Sequence, residues 1–284
     1  MSLINITLML YVITFIAYVA REIWRYRVLK VASLGMFISA FGFNLVLVIK
    51  RSVEAGHPPF SNLYESLIFY ACCTAFVYIV FEFIYNFRIV GTMASVLTLL
   101  ILSYATLQDD TIRPIMPALK SNWMLVHVIT YMLGYGAFGI AFVTSIIFLV
   151  TKPFTKKTKD KKSFDEEGKE ILPGNFDRLS YKIVAFGFPF LTLGMVTGAV
   201  WAKKAWGDYW SWDPKETWSL ITWFAYLVYL HTPLVLPKMN INKSKASVIL
   251  ACWLLVSFGI VNFTFMGLNY LPSAADSEHI YGAK

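Results

Sequence analysis

The sequence predicts an all-α polytopic membrane protein of about eight transmembrane helices with a tryptophan-rich extracytoplasmic segment, and three observations carry that expectation. Hydrophobic residues make up 57% of the chain and charged residues only 15%, with a mean hydropathy of +0.59, a balance foreign to water-soluble folds. Apolar stretches recur along the chain, each long enough to cross about 30 Å of hydrocarbon at about 1.5 Å per residue. The basic residues gather in alternate connections, as the positive-inside rule requires.

In chain order the spans are read at about 3–20, 31–49, 63–86, 89–106, 122–151, 179–201, 216–236 and 246–269. The first lacks a basic leader and a small-residue cleavage site, so it reads as a retained helix and not as a signal peptide. Arg21, Arg25, Arg27 and Lys30 follow it, and Lys238, Lys243 and Lys245 follow the seventh. Between the fifth and sixth lies the mixed-charge stretch Lys152 to Glu170, within a polar connection, 152–178, expected to be cytoplasmic. This bias places both termini, and the segment 202–215, outside the cytoplasm. It also accounts for the net charge of +8 without nucleic acid. No internal repeat is evident, so residues 1–284 read as one membrane domain in a lipid bilayer. Cys72, Cys73 and Cys252 all fall inside predicted helices and read as small buried hydrophobes, neighbouring cysteines being unable to bridge easily.

The segment WGDYWSWDPKETWSLITW, Trp206 to Trp223, is the most informative stretch. A tryptophan cluster at a helix mouth is ordinarily a membrane-interface belt. A belt needs only aromatic content, however, and does not explain the ordered pattern. Gly207 permits a tight turn, Asp213 reads as a helix N-cap, Pro214 as the first helical residue and Glu216 as the reciprocal member of a capping box. The tryptophans preceding the cap have no comparable structural task. Flat indole faces beside Lys203, Lys204 and Lys215 suit a large planar apolar ligand with carboxylates, and haem is such a ligand. No C-x-x-C-H string is present, so haem would be held without covalent attachment, as haem b.

The four histidines are separated by depth. His127 lies about five residues into the fifth span, near the outer surface, with Tyr131 and Tyr135 on the same helix face. His279 lies in the outer tail. His231 comes thirteen residues after Trp218, about 20 Å inward, where an imidazole must pair, ligate or line a cavity. His57, in AGHPPFSN, reads either as a solvated loop residue or as part of a site, not as an axial ligand; beyond it Asn62 and Glu65 form a second expected capping pair.

The run WGDYWSWDPKETWSLITWFAYLVYLH resembles the WWD signature of haem-handling proteins of cytochrome c biogenesis, specifically the CcsA (ResC) family, and GHPPFSNLYESL is similar to a second stretch of it. The relatives CcmC and CcmF carry other residues after the W-D. The resemblance implies haem transport across the membrane and presentation to an apocytochrome c bearing C-x-x-C-H, as the core of a holocytochrome c synthase with a CcsB (ResB) partner subunit. It implies axial roles for His127 and His279 on an outer haem and for His231 on a transmembrane haem. Trp206, Trp210, Trp212, Asp213 and Trp218 fall in the WWD segment, with Trp206, Trp210 and Trp212 expected as a platform for the ring. The implied location is the bacterial plasma membrane, with the thylakoid membrane as the alternative. Three other functions fit parts of the pattern: haem handling of the CcmC or CcmF kind, a haem-b electron carrier, which does not need the tryptophan segment, and a solute transporter, for which broken helices and inverted repeats are expected.

Overall fold

The computed structural model describes residues 2–24, 26–85, 88–157, 173–239 and 241–270. Among the described residues eight α-helices follow one another as the apolar spans predict: α1 (Leu3–Trp24), α2 (Arg27–Ala55), α3 (Leu63–Tyr85), α4 (Arg88–Ala105), α5 (Asn122–Lys157), α6 (Pro173–Trp206), α7 (Pro214–Val235) and α8 (Lys243–Phe265). Six of them are long and apolar enough to cross a membrane. The two others fall short of that by described length or by apolar content. The described apolar part of α4, Ile89–Ala105, makes about 25 Å of helix. Helix α7 opens with Lys215, Glu216, Thr217 and Ser219 in its first turns, which lowers its apolar content.

Helix ends also outrun the apolar runs, because backbone hydrogen bonding continues through polar residues at a membrane surface. The connection read as polar from 152 to 178 is helical at both described ends, α5 reaching Lys157 and α6 starting at Pro173.

Helix α5 lies at the centre, packed on α3, α4, α6 and α8, while α1 and α2 pair with each other and lie against α4 and α3. Its apolar window is 72% buried against 22% for α1. Glycines allow α5 and α6 to approach closely. A Cβ on Gly134 would meet the Leu191 amide at 3.2 Å, and one on Gly187 would meet Ala137 at 2.8 Å. Two buried ion pairs join the peripheral helices to α3 at its opposite ends: Arg21 to Glu82 at 3.1 Å and Arg51 to Glu65 at 2.9 Å. Beside the first, the Tyr78 hydroxyl donates to that of Tyr18 at 2.7 Å. Cys72 and Cys73 are buried in α3 as expected, whereas Cys252 is exposed on α8, off the packed face that runs through Ala251, Leu254, Phe258 and Val261.

Candidate functional site

The turn between α6 and α7 is built as its sequence predicts. Gly207 takes φ +101°, and the Lys203 ammonium donates to its carbonyl. The Asp213 carboxylate accepts from the Lys215 amide at 2.7 Å, while Glu216 Oε2 accepts from the amides of Asp213 at 3.2 Å and Ser211 at 2.8 Å. The box therefore ties the whole turn to the first turn of α7, not the cap alone. Trp212 has φ +60°, a left-handed conformation unusual for a bulky residue. That twist sends it outward, 69% exposed, while Trp210 faces in.

Beneath the turn lies a cavity of about 140 Å³ walled by α5, α6, α7, the end of α8 and two loops. His127 from α5 lines it, with Tyr131 and Tyr135 one and two turns along the same face. His127 Nδ1 is 2.8 Å from the Gly194 carbonyl of α6. A carbonyl only accepts, so Nδ1 carries the hydrogen and Nε2 the lone pair, the arrangement that orients a ligating imidazole. The fit depends on Gly198, where a Cβ would come within 2.5 Å of Nδ1. Trp201 stacks on the imidazole, with centroids 5.9 Å apart and planes at 24°, and Tyr131 approaches at 4.7 Å. The Trp201 indole N–H donates to the Ala118 carbonyl at 2.8 Å, bringing the segment around the 3₁₀ turn Pro117–Leu119 in as a wall.

Across the cavity stand Trp210, Lys215, Glu216 and Ser219, with Phe265 closing the far end and Phe60 and Ser61 the side. The Trp210 indole nitrogen is buried and has no acceptor among the described residues, so a bound acceptor would satisfy it. Burial pushes the Lys215 ammonium down to about 8, opposed by the nearby Asp213 carboxylate. The site thus holds an oriented imidazole, aromatic walls, one buried indole donor and a cation whose charge changes near pH 8.

Of the residues singled out in the sequence, His127, Tyr131, Tyr135, Trp210, Lys215 and Glu216 line the cavity, while Asp213 serves as the cap of α7. Trp210 and Trp212 are in edge-to-face contact, centroids 5.8 Å apart with planes at 85°, but Trp206 packs on Trp201 and does not join them in one platform. Trp206 packs edge-on against Trp201 at 4.5 Å, Trp212 points outward, and Trp218 packs on Phe263 at 4.4 Å. His231 lies elsewhere, exposed on α7, with Nδ1 2.8 Å from the Leu227 carbonyl of its own helix. His279 is outside the described residues. His57 is buried and not solvated, its Nδ1 held 2.9 Å from the Pro58 carbonyl. Asn62 caps the Glu65 amide at 2.8 Å, but Glu65 turns to Ser61 and Arg51 instead of completing the box. Sequence reasoning missed Trp201, Tyr209 and the 116–119 segment. A Gly194–Gly198 pair one turn before Trp201 was the available signal for the first.

Helix order, the capped tryptophan turn and the histidine-bearing aromatic cavity define a class of polytopic membrane protein with its site between α5, α6 and α7. The chain belongs to the cytochrome C assembly protein family, whose model matches residues 60–274. It is 36% identical to the cytochrome c biogenesis protein CcsA of Guillardia theta, over 98% of this chain and 95% of that one. It is 38% identical to the CcsA of Chlamydomonas reinhardtii over 84% of this chain, spanning 65% of that relative's length. The CcsA of Trieres chinensis is 35% identical over 86% of this chain and 85% of its own. Among solved structures, cytochrome c heme lyase CcmF shares the fold, with a TM-score of 0.63 and 16% identity over 93% of this chain and 48% of that one. Together these establish a membrane protein of cytochrome c biogenesis.

Proposed function

We propose that the protein carries haem across the membrane and presents it to an apocytochrome c for thioether attachment, acting as the core of a cytochrome c synthase with a CcsB-like partner. The observation that carries this reading is His127. Its Nδ1 is bound to the Gly194 carbonyl, which orients the imidazole in a cavity walled by Trp201, Tyr131 and Trp210. The donor set suits a non-covalent haem b: an imidazole for iron, aromatic faces for the ring, and Lys215 for a carboxylate. His279 is the second axial ligand in this reading, and the tryptophan turn lies on the extracytoplasmic side of an eight-span bundle. Haem supplies the reactive vinyl groups, and this chain's residues orient it and exclude water.

His231 is the proposed axial ligand of a transmembrane haem. It stands on an exposed apolar ridge of α7 with Ile221, Phe224, Val228 and Val235. With Nδ1 committed to Leu227, its Nε2 lone pair is available to a ligand on the outside of the bundle, where a second imidazole would come from the partner subunit.

The test is co-expression with a C-x-x-C-H apocytochrome, with and without the partner, in cells lacking their own assembly machinery. Covalent cytochrome is expected only with both chains, and the purified protein is expected to show a low-spin haem spectrum that His127→Ala alters. A purified protein without a Soret band, together with no cytochrome product, would refute the proposal.

A further inference from the structure

The cavity holding His127 measures about 140 Å³, below the roughly 300–1,000 Å³ of sites for drug-sized ligands, and a tetrapyrrole is no smaller than those. A groove of about 910 Å³ lies immediately beside it, open at the surface. Met116 and Trp201 belong to both walls. What separates the two spaces is therefore thin: the strap Met116–Lys120 and the ring of Trp201.

The strap is a self-contained unit. Its amides at Leu119 and Lys120 bond back to Met116 at 3.0 Å and Pro117 at 3.1 Å, so these bonds would travel with it if it moved. It is joined to the bundle by the Trp201 indole N–H, which donates to the Ala118 carbonyl, and by Leu119, whose side chain packs against the core and lines the cavity. The charged residues lining the groove are Lys120 and Lys204, with no carboxylate among the lining residues. Lys204 is held over the Trp123 ring at 5.8 Å. A space of this kind attracts anions.

We propose that the strap is a gate dividing one ligand site into two compartments, latched by Trp201 to Ala118, and that Lys120 and Lys204 bind the ligand's carboxylates when the gate opens. This rests on the haem reading above. Because Trp201 also stacks on His127, release of the latch would be felt at the ligating imidazole. Trp201 is thus a positioning residue, and the two lysines are ligand contacts.

The experiment uses the full-length protein in detergent, with hemin as the probe, followed by Soret absorbance and tryptophan quenching in stopped flow. Trp201→Phe keeps the ring and removes one hydrogen bond, so hemin entry and release are expected to quicken by about fivefold. Lys120→Gln with Lys204→Gln is expected to weaken hemin binding about tenfold at low salt, with the loss shrinking as salt rises. Leu119→Cys, made with Cys252→Ser, reports the gate without touching the latch, and its maleimide labelling rate is expected to change on hemin loading. Unchanged rates in Trp201→Phe, or unchanged labelling of Leu119→Cys, would overturn the gate. Unchanged affinity in the double lysine variant would overturn the carboxylate site. Wild-type protein that takes up no hemin would overturn the haem reading, and the gate with it.

Discussion

His127 is made competent by a residue 67 positions away, the Gly194 carbonyl 2.8 Å from its Nδ1. Gly198 is needed for that contact, because a Cβ there would lie 2.5 Å from the same nitrogen. Gly198→Ala is expected to displace the imidazole and change the haem spin state while the protein still accumulates. Absorption and electron paramagnetic resonance spectra of the purified variant decide it, and spectra identical to wild type would discount the contact. Lys215 gives a pH prediction. Its ammonium is lowered from 10.5 to about 8 by burial, and a ligand carboxylate beside it would favour the charged form. Above about pH 8 binding must then take up a proton, so affinity should fall as pH rises, by up to about tenfold per unit. Without ligand the sign is reversed for stability: between about 8 and 10.5 the unfolded chain holds the extra proton, and the fold becomes more stable as pH rises. Titrating hemin affinity from pH 6 to 10 should show this step in wild type and not in Lys215→Gln.

At the scale of elements, the start of α7 and the anchoring of α1 call for different experiments. Glu216 bonds the Ser211 and Asp213 amides, and capping losses are typically about 1 kcal/mol, too little to abolish assembly of a large bundle. Trp210 places a buried indole N–H at the cavity. Trp210→Ala is therefore expected to lose haem and Glu216→Gln to retain most of it, at matched expression; equal losses would erase this division of labour. Arg21 and Glu82 are almost wholly buried, so removing one partner strands a charge at a cost of about 3–5 kcal/mol. Arg21→Met should lower the unfolding temperature markedly, and adding Glu82→Leu should restore much of it. A double variant as unstable as the single would show that the pair itself, not the stranded carboxylate, supplies the stability.

Across the whole molecule, the two candidate haem ligands on the described residues face different surroundings. His127 points into a cavity, and His231 stands on the exposed side of α7. If His231 serves an entry site completed by another chain, His231→Ala should lower the haem-to-protein ratio at the outer site, most clearly with the partner present. A normal ratio with less protein would instead make it a packing residue. The capped turn, the order of the eight helices and the face shared by His127, Tyr131 and Tyr135 were legible in the chain. They depend on apolar run length, helical period and capping chemistry, all local properties. Which aromatics share the cavity was not legible. A single positive φ at Trp212 turns that indole outward while Trp210 faces inward, and the glycine-permitted register of α5 on α6 sets His127 against Gly194 and Trp201. By itself, then, the sequence determined a helical membrane protein with a capped tryptophan-rich segment; only the tertiary structure decided which residues meet, because contacts between helices depend on packing distance and register that no local pattern encodes.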